Sequence, residues 1–281
     1  MQATTIYRPI QDRLARVEEK LTQTVDRRFS AMGQLLNHVL ESEGKRIRPA
    51  LTLLASDFHP NDEETTEIMA TAVELLHIAT LVHDDTVDNS DTRRGRATIS
   101  SLWGRKVAIL VGDYIFAASA TMVCDTGDIR VIRRFSETIM ELSAGELQEL
   151  AEAYQCDQTM DGYLDRIYGK TASLFATAGE SGAILSGAPE DTVQLLKAYS
   201  HNLGMAFQIV DDILDFEGTS QEVGKPVGSD LSRGIVTLPA IIAMRRYPDE
   251  NPISALFRSP HDPEALKGAM DMVMEPPNIA D

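Results

Sequence analysis

Apolar residues recur at three- and four-residue steps along most of the chain, with charged residues between them. This spacing places the apolar side chains on one face of a helix and therefore predicts amphipathic helices. A first long helix is predicted from about residue 9 to 43, ended by Gly44. Asn61 and Asp62 are typical N-cap residues and predict a helix over 63–85. Further helices are predicted near 101–123, 129–153, 160–185, 190–216, 235–247 and 262–274.

No segment alternates apolar and polar residues with period two for long enough to require a sheet. The breaks rich in Gly, Pro and Ser, at 57–62, 186–190 and 217–234, are too short to be interdomain linkers. The sequence therefore predicts an all-α fold, with residues 1–281 forming one domain as a single large helical bundle.

Charge and cysteine content narrow the functional classes. A net charge of −17 argues against a general nucleic-acid binder, which needs a positive field. Cys124 and Cys156 form neither a disulfide framework nor a metal-ligand spacing, which favours a reduced, cytoplasmic setting. The N-terminus lacks the apolar core of a signal peptide, and no uninterrupted apolar stretch of about 18 residues suggests a membrane span.

One short acidic motif occurs twice, as HDDTVD (83–88) and VDDILD (210–215). Each ends an apolar helical segment and places two carboxylates one helical turn apart, where like charges are costly unless a cation binds. Mg²⁺ typically takes one or two carboxylates together with substrate phosphates, so the pair of motifs predicts magnesium ions that hold a diphosphate. A single such motif would more often be a solvated acidic helix end. The proposed metal ligands are Asp84, Asp85, Asp88, Asp211, Asp212 and Asp215.

Basic residues are concentrated close to the first acidic motif. GKRIRP (44–49) supplies Lys45, Arg46 and Arg48, and RRGR (93–96) follows the aspartates by five residues. Arg and Lys bind phosphate oxygens, so these segments predict a second diphosphate site that uses no metal. Either segment alone would more often be a surface patch. A lone histidine in an apolar helix is usually a core residue, but His77 lies two turns before Asp84 on a similar face, so a core role and a phosphate contact are both open.

The chain resembles the trans-polyprenyl diphosphate synthases, which have the isoprenoid synthase fold. The resemblance extends over most of 44–240 and rests on GKRIRP, LLHIATLVHDDTVDNSDTRRGRAT, WGRKVAILVGDYIFA, GKTASLF, FQIVDDILDF and GKPVGSDLSRGIVTLP. It implies an all-α bundle around a deep central cavity and a Mg²⁺-dependent enzyme that adds isopentenyl diphosphate to an allylic diphosphate such as farnesyl diphosphate. It also implies about three Mg²⁺ ions, and a homodimer, with a heterodimer as the alternative.

The resemblance also assigns roles to individual residues. The residues implied to bind isopentenyl diphosphate are Gly44, Lys45, Arg48, His77 and Arg94. Those implied to contact the allylic diphosphate are Arg93, Lys170, Gln208 and Lys225. Those implied to lie near the allylic cation, and thus to be catalytic, are Lys170, Thr171 and Gln208.

The chain departs from the family pattern in two places. Ile235 stands in GIVTLP where many members have a second lysine, which removes one possible diphosphate contact. The chain ends at MEPPNIAD, so the resemblance implies that the last C-terminal helices of the family are absent from this sequence.

Product length is predicted from residues on the helix that carries the first acidic motif. Ala79 and Thr80 lie one turn before Asp84 and are small, whereas short-chain relatives have aromatic residues there. An open tunnel and a product of about 30 carbons or more are therefore expected. A geranylgeranyl or farnesyl diphosphate synthase is the first alternative. Three less favoured alternatives are a terpene cyclase, a non-catalytic partner subunit and an unrelated phosphohydrolase, because none of them needs both predicted diphosphate sites.

Overall fold

The computed structural model describes residues 3–23, 30–40, 44–60, 62–93, 95–217, 227–248, 251–260 and 262–275. Two residues predicted to bind substrate, Arg94 and Lys225, lie outside the described residues.

The described part of the chain is almost entirely helical, which confirms the predicted all-α class. The helices of the first half are α1 (Ala3–Tyr7), α2 (Gln11–Gln23), α3 (Ser30–Leu40), α4 (Ile47–Ser56), α5 (Glu63–Val87), α6 (Ile99–Trp103) and α7 (Arg105–Asp125), with a 3₁₀ turn over Arg8–Ile10. Those of the second half are α8 (Ile129–Glu152), α9 (Met160–Ile167), α10 (Ser173–Leu185), α11 (Glu190–Glu217), α12 (Ser229–Ser232), α13 (Leu238–Arg246), α14 (Pro252–Arg258) and α15 (Pro263–Met274). Two strands of two residues each, β1 (Thr92–Arg93) and β2 (Arg96–Ala97), pair in antiparallel orientation.

The helix boundaries follow the sequence closely where caps are present. Asp62 caps α5 as predicted, since its side chain accepts a hydrogen bond from the backbone N–H of Glu64 at 3.1 Å. The predicted helix over 101–123 is divided at Gly104, whose φ of 87° is left-handed and incompatible with a continuous helix. The predicted helix over 160–185 contains a turn of π-helix over Tyr168–Ala172, which the apolar spacing does not reveal.

The chain divides into two compact units, residues 1–139 with 174–201, and residues 140–173 with 202–281. They are called the first unit and the second unit below. The assignment of residues 1–281 to one domain stays a prediction.

The core of the first unit forms where α2, α4, α5 and α7 meet. The apolar faces predicted for these helices supply its side chains, because each helix must bury its apolar stripe against another. Fully buried members include Val17, Leu53, Leu75, Ile78 and Ile115.

The core of the second unit is built around α9, α13, α14 and α15, together with the C-terminal end of α11. Its buried side chains include Tyr163, Phe216, Val236, Ile241 and Leu256. Tyr163 is a polar residue in this apolar setting, and its hydroxyl has a partner in the site described below.

Among the described helices, α5 and α7 are long and apolar enough to cross a membrane when only length and composition are considered. In α5 the most apolar 18-residue window is 72% buried, as in the core helix of a soluble protein. In α7 the corresponding window is 33% buried, so this helix has an exposed apolar face.

Candidate active site

The first aspartate motif ends α5. Asp88 is the C-cap, and its backbone N–H donates to the carbonyl of Asp84 at 2.8 Å. Because they are four residues apart on a helix, Asp84 and Asp88 lie on the same face, and both are half-buried. Their role as metal ligands stays a prediction.

Asp85 has a different environment from its two neighbours. It is buried, and the Nε of Arg93, on β1, donates to its carboxylate at 2.7 Å. Burial raises the pKa of Asp85, although the positive charge of Arg93 opposes the increase. Thus the arginine predicted to contact the allylic diphosphate is bound here to one of the predicted metal ligands.

His83 attaches the end of α5 to α7. Its ring stacks on Phe116 with centroids 5.9 Å apart, and its Nε2 lies 3.4 Å from the carboxylate of Asp113. Gly112 makes room for the imidazole, because a Cβ at that position would overlap the ring. This packing fixes the helix turn that carries Asp84.

The basic turn Gly44–Arg46 leads into α4 in the first unit. Lys45 is exposed, Gly44 is half-buried, and the guanidinium of Arg48 lies over the ring of Phe175, 4.6 Å from its centroid. Such a contact orients an arginine without neutralising its charge. The contact places Arg48 against α10, a few residues after the exposed Lys45, and both residues were predicted to bind isopentenyl diphosphate.

The remaining predicted residues of the first unit lie along α5. His77 is half-buried, and its carbonyl accepts a hydrogen bond from the Thr80 hydroxyl at 2.7 Å. Ala79 is fully buried in the core of the first unit, where Val111 and Ile115 also lie.

The second aspartate motif ends α11 in the second unit, and its first two carboxylates differ sharply. Asp211 is exposed, whereas only 2% of Asp212 is exposed. The hydroxyl of Tyr163 donates to one Asp212 oxygen at 2.6 Å, and the amide of Gln208 donates to the other at 2.8 Å. Burial raises the pKa of Asp212 to about 7, although these two hydrogen bonds oppose the increase.

The same hydrogen-bond chain continues to Thr171. Its hydroxyl, in the π turn, donates to the side-chain oxygen of Gln208 at 2.6 Å. Since the Gln208 amide also donates to Asp212, the chain determines which way the amide points. Thr171 and Gln208, both predicted near the allylic cation, are therefore in direct contact.

Asp215 is completely buried and held by the segment that begins α12. Its carboxylate accepts from the Ser229 hydroxyl at 3.0 Å and from the backbone N–H of Asp230 at 3.1 Å. Its carbonyl accepts from the backbone N–H of Gly228 at 2.7 Å. In this structure Asp215 links the start of α12 to the end of α11.

Lys170 is bound by two glutamates of α8 that sequence reasoning missed. Its ammonium group forms ion pairs with Glu149 and, at 3.2 Å, with Glu146. The signal available in the sequence was the i, i+3 spacing of these glutamates next to a small residue, Gly145. A Cβ on Gly145 would lie 2.5 Å from the backbone nitrogen of Lys170, so α8 and the π turn are in direct backbone contact.

The carboxylates fit a hard divalent cation that takes part of its ligands from a phosphate. The described residues contain no group of three or more His, Cys, Asp or Glu side chains arranged to hold a metal. Mg²⁺ is commonly bound by one or two carboxylates plus substrate phosphates and water. The Asp84/Asp88 pair in the first unit and the exposed Asp211 in the second unit each fit such a ligand set, taken separately.

Comparison with known proteins gives consistent similarities. The sequence profile of the polyprenyl synthetase family matches residues 30–273. Heptaprenyl diphosphate synthase component 2 of Geobacillus stearothermophilus is 43% identical over 244 residues, covering 87% of this chain and 76% of that protein. The crystal structure of heptaprenyl diphosphate synthase from Staphylococcus aureus matches with a TM-score of 0.92 at 39% identity, covering 96% of this chain and 86% of that one.

A further solved structure similar to this chain includes ligands. It is polyprenyl synthase from Caulobacter crescentus CB15, complexed with calcium and isoprenyl diphosphate. The match has a TM-score of 0.93 at 29% identity and covers 99% of this chain and 86% of that one.

Proposed function

Because this chain belongs to the polyprenyl synthetase family, we propose that it condenses isopentenyl diphosphate with an allylic diphosphate to give a longer trans-polyprenyl diphosphate. The predicted family and the predicted class of prenyl-transferring enzyme are confirmed. The observation that carries the proposed reaction is the pair of aspartate motifs together with a separate basic turn, within a chain that matches its relatives over most of its length.

The aspartates are proposed to hold the metal and the allylic diphosphate in two ways. Asp84, Asp88 and Asp211 are proposed as direct ligands, because the first two are half-buried on one face at the end of α5 and the third is exposed near the end of α11. Asp85, Asp212 and Asp215 have the protein partners described above. Bound Mg²⁺ supplies the positive charge that stabilises the departing diphosphate. Asp85, Asp212 and Asp215 act through those partners and keep each helix end in place.

Two described cations are proposed to contact the allylic diphosphate directly, and Lys225, outside the described residues, is proposed as a third. Arg93 is held by Asp85, and Lys170 is held by Glu146 and Glu149. These carboxylates hold long, flexible side chains near their working positions, which lowers the ordering cost when the diphosphate binds. A diphosphate carries more charge than a single carboxylate and competes for the same N–H donors.

Thr171 and Gln208 are proposed to stabilise the allylic cation. Their side-chain oxygens are the negative ends of dipoles that the chain from Tyr163 and Asp212 keeps oriented. Dipoles that are already oriented before the reaction begins can stabilise the positive charge as it develops, because they do not have to reorient. By family resemblance, the released diphosphate takes the final proton.

Isopentenyl diphosphate is proposed to bind at the basic turn and α5. Lys45 and Arg48 supply positive charge, Gly44 leaves room for the phosphate, and His77 adds a ring N–H. Arg94 is proposed as a further contact and lies outside the described residues.

The product is proposed to have about 30 carbons or more. The small residues at Ala79 and Thr80 support this length, and so do relatives that are named heptaprenyl diphosphate synthases. A homodimer is proposed, with a heterodimer as the alternative, because the name of the Geobacillus relative includes "component 2". Cytoplasmic location stays a prediction.

The proposal is tested by incubating the purified chain with Mg²⁺, farnesyl diphosphate and labelled isopentenyl diphosphate, followed by chromatography of the products. Elongated products of about 30 carbons or more are expected, and Ala79→Phe is expected to shorten them.

Asp84→Asn and Asp211→Asn are expected to lower kcat by at least about a hundredfold. Asp125→Asn, an exposed aspartate at the end of α7, is the matched control and should keep full activity. Cyclised products or simple phosphate release would contradict the proposal, and no turnover without a partner subunit would favour the heterodimer.

A further inference from the structure

Arg46 lies between two residues of the proposed isopentenyl diphosphate site, yet its side chain binds protein carboxylates. Its guanidinium donates to Glu18 of α2 at 2.5 and 3.1 Å and to Glu74 of α5 at 2.7 Å. The side chain of Arg46 is 11% exposed and that of Glu74 is 5% exposed. These ion pairs, of which the one with Glu74 is buried and the one with Glu18 is partly exposed, join the basic turn to two helices of the first unit.

The backbone of Arg46 is in a conformation that few side-chain-bearing residues adopt. Its φ of 48° and ψ of 37° are left-handed, a region in which glycine is at no disadvantage. Such a conformation persists when the surrounding contacts hold it in place. The carbonyl of Arg46 also accepts the backbone N–H of Ala50 at 3.1 Å, so this conformation determines where α4, and with it Arg48, begins.

Lys45 is fixed from its other side by Tyr7 of α1. The Tyr7 hydroxyl donates to the backbone carbonyl of Lys45 at 2.6 Å. Burial, and then the charge of Glu74, raise the pKa of Tyr7, so its hydroxyl stays a donor at neutral pH. The Lys45 backbone is therefore held at its carbonyl and at the following residue.

We propose that Tyr7, Glu18, Arg46 and Glu74 are positioning residues that hold Lys45 and Arg48 in the arrangement that binds the diphosphate of isopentenyl diphosphate. This inference rests on the proposed function, because it assumes that Lys45 and Arg48 bind that substrate. Three basic residues within four positions repel one another. The two glutamates neutralise the central one, so the turn keeps its shape with the two outer cations close together.

The ion pair between Arg46 and Glu18 also attaches α2 to the rest of the first unit. The experiment therefore has to separate the positioning of Lys45 and Arg48 from the attachment of α2. Arg13 provides the comparison, because it is a similarly buried arginine on α2. It binds Ser56 and Asp57, at the far end of α4, and Thr66, in the first turn of α5. A helix of ten residues is about 15 Å long, so Arg13 acts well away from the turn.

The test compares the steady-state kinetics of Arg46→Met, Arg13→Met and the parent chain, all at full length. For Arg46→Met, the KM for isopentenyl diphosphate is expected to rise about tenfold to a hundredfold. Its KM for farnesyl diphosphate and its kcat at saturating substrate should not change. Arg13→Met should lower the unfolding temperature and leave both KM values unchanged. Arg46→Lys, which keeps the charge but cannot bridge both glutamates as arginine does, should have an intermediate KM.

Tyr7→Phe keeps the test decisive if Arg46→Met does not fold. It removes only the hydroxyl that fixes the Lys45 carbonyl, and the KM for isopentenyl diphosphate should rise selectively. Unchanged KM values in Tyr7→Phe, or in a folded Arg46→Met, would overturn the inference. So would an equal rise in Arg13→Met.

Lys45→Ala and Arg48→Ala separate this inference from the proposed function. If neither raises the KM for isopentenyl diphosphate, the proposed substrate site is wrong and the inference falls with it. If both raise it while Arg46→Met and Tyr7→Phe do not, the substrate site stands and the positioning role alone is rejected.

Discussion

Asp212 receives hydrogen bonds on both carboxylate oxygens, one from Tyr163 and one from Gln208. It is adjacent in sequence to Asp211, but successive helical residues are rotated by about 100°, so one side chain is exposed and the other is buried. A buried carboxylate that accepts one hydrogen bond on each oxygen is well suited to hold the two donor side chains in a fixed orientation. We therefore expect Asp212 to act on catalysis through Gln208, and Tyr163 to act through Asp212.

Tyr163→Phe tests this expectation at the scale of one hydroxyl. The change leaves a buried carboxylate oxygen without its donor and loosens Gln208, so kcat should fall by about tenfold. The free energy of unfolding should fall by about 1–3 kcal/mol. Stopped-time product assays and chemical denaturation measure the two effects.

Tyr168→Phe is the matched control for this change. Tyr168, in the π turn, donates to Glu141 of α8 at 3.2 Å, so the same change removes a hydroxyl from a hydrogen bond to a different carboxylate. If both variants lost the same amount of activity, the hydrogen bond to Asp212 would have no special role.

At the scale of elements, the contact between α8 and the π turn determines where Lys170 lies. Gly145 and Gly169 let the two backbones touch, with the Gly169 Cα only 3.1 Å from a Cβ built on Gly145. This approach brings the Lys170 ammonium group to Glu146 and Glu149. Any larger residue at position 145 would have to separate the two elements.

Gly145→Ala is accordingly expected to destabilise the second unit by about 1–3 kcal/mol through overpacking. Because Lys170 would move with the π turn, the KM for the allylic diphosphate should rise. Denaturant unfolding and initial rates with varied farnesyl diphosphate measure these effects.

Gly268→Ala makes the same chemical change where there is room for it. A Cβ there would lie 3.7 Å from Pro252, an ordinary contact, in the interior of α15. This variant should be more stable by about 0.5–1 kcal/mol. The contact between α8 and the π turn would be unimportant if Gly145→Ala behaved like Gly268→Ala.

At the scale of the whole molecule, the first unit exposes apolar side chains on α6 and α7. Leu102, Trp103, Ile109 and Leu110 are all at least 41% exposed, with Leu110 at 65%. Contiguous exposed apolar residues commonly mark a protein interface. This surface lies on α6 and α7, in the region where the sequence predicted a helix over 101–123.

Leu110→Glu is expected to reduce the dimer fraction strongly, because it places a charge in the proposed interface. The unfolding free energy of the monomer should change by less than about 0.5 kcal/mol, as is usual for an exposed position. Light scattering during size-exclusion chromatography, over a range of concentrations, measures the dimer fraction. A dimer that persists unchanged in the variant would place the interface elsewhere, and a monomeric parent chain would favour a different partner subunit.

Much of the fold followed from local rules. The apolar periodicity predicted α5, α8 and α11 to within about two residues, because long helices with clear stripes and caps are locally specified. The hairpin over 92–97, the short α12 and the π turn were missed. Each of these is too short for a period to appear, and its conformation depends on contacts from elsewhere in the chain.

The sequence by itself determined the all-α class through its apolar periodicity, because that periodicity is a local property of the chain. Its motifs carry the resemblance to the family and supply the residue types that can bind metals and phosphates. Only the tertiary structure showed that Asp85, Asp212 and Asp215 are bound by Arg93, Tyr163 and Ser229. It also showed that Arg46 is bound to two glutamates while Lys45 is exposed. The physical reason is that burial and hydrogen-bond partners depend on residues far apart in sequence, which only the folded chain brings together.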